Sequence, residues 1–358
     1  MKQSISTNAV MLPSQYERQQ IFYWLQRISS ATAWRRIYEY YKAWAVATEN
    51  SLREADQHGW GSETSLPQSE YALILKGLAH CEEGVKRLAS GDKRVFRFDA
   101  NGEFAMARRM LSHWTQMLER IELGENGIKK NTPLWAEFCE ALVALGQVWG
   151  ECAVEILEPR YIDEPALTLY GIWLQEELAN MPFPNELKAV PDPIDNTFVR
   201  TNDYTPCSGI WEPVEVPSAP FLSLFSGAPK PQPPFTVVGA MNYLHGGSKA
   251  PKITVETAND NIDLATTWRL LWRDDRYSDG TIPEEEAHYR FKKPDAVLPT
   301  PPSISVPNET IWGDSGTAAK ATGKWLVESD LSGCVMLQMG EKLPLYQGRE
   351  VRWVLADK

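Results

Sequence analysis

The sequence predicts an α+β protein: an N-terminal helical bundle followed by a proline-rich, mainly antiparallel β region with a candidate two-copy repeat. Three observations carry that prediction. Of 25 prolines, 19 fall between Pro182 and Pro307 and only five come earlier. Proline lacks a backbone N–H and fixes φ, so the first half is free to be helical and the second is not. Before residue 181, apolar residues recur at spacings of three and four. After residue 205, short β-prone runs alternate with glycine and proline turns.

The first helical segment runs from Ser14 to about His58. Ser14 with Glu17 three positions on forms a capping box. Ile21, Trp24, Leu25, Ile28, Trp34, Ile37, Tyr41 and Trp44 then mark one face, and Ser29, Ser30 and Thr32 interrupt it as a bend. A second helix is expected over Ser69–Ala89 and a third over Gly102–Leu123, with Gly91 and Gly124 as stops. Thr132-Pro133 opens a fourth that runs to about Leu157. A fifth is expected over Glu164–Asn180. Residues 1–181 are read as the helical domain, 182–205 as an extended linker and 206–358 as the β-rich domain.

Within the β region, strands are expected at Phe235–Val238, Met241–Leu244, Ile253–Thr257, Thr267–Trp272, Lys324–Val327, Cys334–Gln338 and Glu350–Leu355. Two stretches, near 207–275 and 321–358, echo one another. Each has Gly-x-Trp, then an apolar strand, a glycine turn and a proline. The alignment pairs Gly209 with Gly323, Trp211 with Trp325, Leu244 with Met339 and Pro251 with Pro344, and Trp268 and Trp353 follow in each copy. These indoles read as core groups.

Composition narrows the function. Lys plus Arg is 36 against 47 Asp plus Glu, a formal charge of -11. That argues against a nucleic-acid binder, which needs a basic face, and suits a partner with a basic surface. No leader-like apolar stretch and no 18-residue apolar run is seen, so a cytoplasmic protein with no membrane segment is expected. Five widely spaced cysteines without CxxC point to a reducing compartment. The five histidines show no metal-ligand spacing, and His80 and His113 read as helix-surface residues. His245-Gly246-Gly247 is a glycine turn that lacks the phosphate-loop pattern, and no GxSxG is present. The sequence therefore offers no catalytic residue, no metal ligand and no cofactor site.

The candidate partner-binding residues are those of an aromatic and acidic stretch: Trp272, Asp274, Asp275, Tyr277 and Asp279, then Glu284 and Glu285. Aromatic anchors with acidic neighbours suit a protein interface that meets a basic surface. Three readings stay open from the residues alone. A binding protein predicts mostly buried tryptophans and an acidic protein-sized face. A hydrolase using carboxylates predicts a cleft with convergent titratable groups. A carbohydrate-binding or structural β module predicts exposed, coplanar indoles at Trp211, Trp268, Trp272 and Trp325. An aromatic stripe left uncovered on the first helix would favour a homodimer.

The segments SGIWEPV, Met241 to Pro251, TIWGDSG and the terminal GKW…MGEKLP…VRWVLAD resemble the immunity proteins 71 and 72 of bacterial polymorphic-toxin systems. The likeness covers most of the chain. It implies a non-enzymatic cytoplasmic protein that neutralises a cognate toxin, often one delivered by type VI secretion.

Overall fold

The computed structural model describes residues 11–159, 164–193, 197–215, 235–256, 261–294, 311–328 and 333–357. The proline-rich stretches 216–234 and 295–310, and the first ten residues read above for a leader, lie outside them. Among the described residues six α-helices occupy the first half: α1 (Gln15–Ile28), α2 (Ala31–Gln57), α3 (Gln68–Ala89), α4 (Glu103–Glu122), α5 (Trp135–Ala153) and α6 (Ile172–Asn180). Among the described residues the first strand begins at Phe198, within the stretch 182–205 read as an extended linker. The strands are β1 (Phe198–Arg200), β2 (Gly209–Glu215), β3 (Thr236–Val237), β4 (Asn242–Leu244), β5 (Ile253–Glu256), β6 (Asn261–Leu264), β7 (Thr267–Arg273), β8 (Trp312–Asp314), β9 (Gly323–Val327), β10 (Cys334–Leu337) and β11 (Arg352–Asp357).

Local chemistry explains the helix boundaries. Ser14 and Glu17 form the expected capping box, with Ser14 N–H donating to Glu17 Oε2 at 2.8 Å and Glu17 N–H to Ser14 Oγ at 3.3 Å. The interruption after Ile28 is a full break. Ser29 Oγ donates to Leu25 O at 2.7 Å, and Ser30 Oγ donates to Arg27 O while accepting the Ala33 N–H as the cap of α2. α5 starts two residues later than Thr132-Pro133 suggests, because Leu134 takes a left-handed φ of 50°. The expected fifth helix is shortened to α6. Its first part is extended because Ala166 N–H bonds Lys252 O and Thr168 N–H bonds Asn242 Oδ1. The apolar spacing of Leu167 and Tyr170 thus imitates helix period in a segment that pairs with the β region.

The chain forms two compact units, each drawing on helices and strands. One comprises residues up to Trp34, Arg87–Gly102 and Gly150–Lys293; the other Arg35–Lys86, Glu103–Trp149 and the residues from Pro294 on. In the second unit, the helices pack through aromatic rings: Trp44 lies 5.8 Å and Trp114 4.9 Å from Phe138, centre to centre. Gly84 of α3 admits the Phe104 ring of α4 where a side chain would clash. Each unit also holds one antiparallel sheet, ordered β1-β7-β2-β3 with β4 also on β2 in the first, and β8-β11-β9-β10 in the second. A separate β5–β6 hairpin belongs to the first unit.

The two sheets repeat one another residue by residue. Val199, Trp268 and Pro213 lie side by side across β1, β7 and β2; Gly313, Trp353 and Val327 do so across β8, β11 and β9. Trp268 Nε1 donates to Pro251 O at 2.9 Å, and Trp353 Nε1 to Pro344 O at 2.9 Å. The Thr201 hydroxyl accepts from Thr266 N–H and donates to Pro251 O; the Ser315 hydroxyl accepts from Val351 N–H and donates to Pro344 O. Thr205 N–H bonds Ser248 O and Gly247 N–H returns to Thr205 O; Ala319 with Glu341 and Gly340 makes the same pair. The turns agree in backbone angle, with Gly247 at φ 81° and Gly340 at 94°, a region where glycine carries no steric penalty. One alignment shifts. Gly209 pairs with Leu244 and Gly323 with Leu337, so Leu244 matches Leu337 and not Met339. Met339 falls in the turn, where its apolar character misleads.

Trp211, Trp268, Trp325 and Trp353 are all buried, two in each core. The exposed coplanar indoles that a carbohydrate module needs are not formed by these side chains. Trp272 is half-buried, edge-on to Phe22 and under the Arg276 guanidinium.

Candidate functional site

The aromatic and acidic stretch divides into an interior network and an exposed rim, both within the first unit. β7 ends at Arg273, and the next side chain, Asp274, turns inward. Its carboxylate accepts from Tyr243 Oη at 2.8 Å and from Arg276 Nε at 2.8 Å and Nη2 at 2.7 Å, with Lys93 Nζ at 3.5 Å. Arg276 also donates to Gln26 O and to Ser29 Oγ, and so ties this loop to the end of α1. The Tyr277 hydroxyl donates to Glu286 and accepts the Ala31 N–H at 2.8 Å. Glu286 Oε2 accepts the Thr32 N–H at 3.1 Å. The loop therefore supplies two acceptors to the open N–H groups at the start of α2, one of them a carboxylate where the helix dipole favours negative charge.

Burial alone would raise the Asp274 carboxyl, yet the Arg276 charge and hydrogen bonds hold it below its ordinary value. Burial lowers Lys93 to about 8, partly opposed by Asp274. Asp274, Tyr277 and Glu286 are each at most 6 % exposed, so their side chains face the interior. Asp275, Asp279 and Glu284 are exposed and Glu285 half-buried. Asp279 caps its own turn through Thr281 at 2.8–2.9 Å, and Glu285 meets Lys188 at 2.5 Å. The acidic run after Pro283 folds as a short 3-10 turn over Glu284–His288.

A second titratable cluster lies in the other unit and differs from expectation. His80 is buried, not on the helix surface, because it sits on the inner face of α3. Its Nδ1 is 2.7 Å from Glu103 Oε2 of α4, and its Nε2 is 3.3 Å from Glu328 Oε1, without hydrogen-bond alignment. The Trp312 ring is 5.7 Å away, and Lys76 donates to the Glu328 carbonyl. Burial disfavours the His80 charge, but the two carboxylates outweigh it and raise its pKa above 6.5. The His80 imidazole beside it lowers Glu328 against the effect of burial, with Arg352 and Lys76 adding to it. A histidine with a raised folded pKa contributes stability fully below about 6.5, and that contribution is lost as pH rises through the folded value. Glu328 contributes above about 4.5 and loses its contribution below. We expect the stability attributable to this cluster to be larger at pH 5.5 than at pH 8.5. Urea denaturation of the wild type and of His80→Leu at both pH values checks this. The wild-type advantage should shrink at pH 8.5, and an advantage equal at both would contradict it.

Among the described residues no group of three or more His, Cys, Asp or Glu is placed to hold a metal ion. All five cysteines are free. No described helix is long and apolar enough to cross a membrane. Sequence reasoning also missed a cavity of about 260 Å³ in the first unit, beside the His245-Gly246-Gly247 turn. The turn is legible in the sequence. The residues that wall the cavity opposite it, Arg97–Asp99 and Glu164–Leu167, lie far away along the chain and carry no pattern that announces it.

Each unit combines helices with one copy of a repeated antiparallel sheet, and the acidic stretch in the first unit divides between internal ties and an exposed rim. The family model for immunity protein 71 matches residues 12–167, and that for immunity protein 72 matches residues 191–290. The two matches follow one another along most of the chain, and the protein belongs to these immunity-protein families. No curated protein and no solved structure matches the chain.

Proposed function

We propose that this protein binds a cognate secreted antibacterial toxin, of the kind delivered by type VI secretion, and neutralises it without catalysis by covering its active cleft. The observation that carries the reading is the pair of consecutive immunity-protein matches over residues 12–167 and 191–290. The formal charge of -11 supports a toxin with a basic surface, since opposite charge speeds encounter and fixes register. Asp275, Asp279, Glu284 and Glu285 are the proposed acidic contacts. Trp173 and Ile172 at the start of α6, 59 % and 62 % exposed, offer apolar area of the type that anchors interfaces. Asp274, Tyr277 and Trp272 act beneath that surface by fixing the loop that displays it.

Light scattering of the protein co-expressed with its toxin tests the reading: a 1:1 or 2:2 complex is expected, and two separate species would overturn it. The contact residues have their own test. Reversing Asp275, Asp279 and Glu284 to lysine is expected to slow association about tenfold at low salt, with a smaller effect at 0.5 M salt where exposed charges are screened. An unchanged rate removes these residues from the interface while leaving toxin binding in place.

A further inference from the structure

Two residues that line the cavity beside the His245 turn carry polar atoms that the fold leaves unused. His245 is 7 % exposed, between the Phe96 and Tyr243 rings. Its Nδ1 and the Ser248 Oγ are buried without a hydrogen-bond partner. Leaving such an atom unsatisfied is costly, because it gives up its hydrogen bonds to water and gains none in return. The hairpin does not need them. In the second copy the same backbone hydrogen bonds form with Gln338 in place of His245 and Glu341 in place of Ser248, both exposed. Tyr204, 71 % exposed at the cavity rim, has Ala318 as its counterpart. The first copy has therefore acquired a buried imidazole, a buried hydroxyl and a rim ring that the shared architecture does not require.

The charges around the cavity disfavour an anionic ligand. Arg97 Nε lies 3.2 Å from Asp99 Oδ2 and 4.0 Å from Glu158 Oε2, and Glu158 Oε2 also accepts the Phe98 N–H at 2.8 Å. Exposed Glu164 and Lys249 oppose one another in sign. Three carboxylates, Asp99, Glu158 and Glu164, outnumber Arg97 and Lys249 by one, so an anion is disfavoured. Burial lowers the His245 pKa, against the effects of Glu158 and the Ile156 backbone, so the ring is neutral at pH 7. A neutral imidazole and a hydroxyl each make hydrogen bonds in either sense. The remaining wall is apolar, with Leu167, Leu244 and Pro251, and Phe98 joins Tyr204 at the rim. A cavity of about 150 Å³ is enough for benzene, so this one has room for a single substituted ring.

We propose that this cavity binds a hydroxyl-bearing aromatic ring, its hydroxyl bonded by His245 Nδ1 and Ser248 Oγ and its ring held between the apolar wall and Phe98 and Tyr204. The ring comes either from a tyrosine of the toxin or from a free phenolic compound. The first source rests on the toxin-binding reading, and the chemistry of the cavity does not. The probe is p-cresol, titrated into the full-length protein and followed by NMR, with toluene as the ring without a hydroxyl. Saturable binding is expected, with p-cresol at least about tenfold tighter than toluene. His245→Phe, which keeps a ring between Phe96 and Tyr243, and Ser248→Ala should each remove that preference while the thermal transition stays cooperative. Should either variant unfold, Tyr204→Ala at the exposed rim must still weaken p-cresol. No binding, equal affinity for toluene, or folded variants that bind p-cresol as wild type does would overturn the proposal. Saturating p-cresol that weakens the toxin complex assigns the ring to the toxin; a complex unaffected by it assigns the site to a free phenol. If no toxin complex forms at all, the function proposed above fails while the p-cresol titration still decides the cavity.

Discussion

Arg276→Met should destabilise the protein by about 3–5 kcal/mol, the expected cost of stripping a buried charge of its partner. The Arg276 side chain is 6 % exposed and that of Asp274 fully buried, and they share two hydrogen bonds. Removing the guanidinium leaves the Asp274 carboxylate with Tyr243, Lys93 and the backbone N–H of residue 276, and takes the guanidinium donors from Gln26 O and Ser29 Oγ at the end of α1. The carboxylate would then lose the interaction that holds its pKa low. The deficit should accordingly be larger at pH 7 than at pH 4, where protonation relieves the unpaired charge. Urea denaturation at the two pH values measures both statements. A loss below about 1 kcal/mol, the range of an exposed pair, would show that the network is solvated and not interior.

Trp268→Ala and Trp353→Ala should each cost about 3–5 kcal/mol, the range for deleting a large buried aromatic. Both indoles are at most 2 % exposed, both sit on a strand paired on its two sides, and both donate to a proline carbonyl at 2.9 Å. The repeat makes the stronger claim that the two losses are alike. Phenylalanine at either position keeps most of the ring contacts but leaves the Pro251 or Pro344 carbonyl without the indole donor, for a smaller loss of about 1–3 kcal/mol. Denaturation of the four variants checks this ordering. A silent substitution at one site beside a severe one at its counterpart would mean that the two modules share a shape but not a mode of stabilisation.

Much of this architecture is legible in the sequence for reasons that these residues make plain. Proline separates helices from strands because its restrictions are local and need no knowledge of tertiary contacts. The serine pair at Ser29 and Ser30 marks a break because both hydroxyls compete with the helix for backbone groups. The Gly-x-Trp repeat is visible because a glycine of similar φ, 159° at Gly209 and 153° at Gly323, and the same buried indole recur at both sites. What was not legible depends on partners far away in the chain. Asp274 reads as surface, since acidic residues mostly are, and only the approach of α1 and the Lys93 turn makes it interior. His80 is moved from the surface to a buried ion cluster by Glu103 and Glu328, neither of which carries a spacing signal. The segment from Glu164 has helical spacing, but the offer of Lys252 O and the Asn242 amide decides its conformation. Of the proposed contact residues, Asp275, Asp279 and Glu284 keep the exposure a partner requires, while Tyr277 and Asp274 turn out to fix the loop from within.

The measurement that tests neutralisation most directly is a titration of the toxin's own activity with this protein. Binding that covers the active cleft predicts a linear fall to zero at one equivalent of protein per toxin, unchanged by longer incubation because nothing is turned over. Full toxin activity at several equivalents, or inactivation that proceeds with a substoichiometric amount of the protein, would contradict the account.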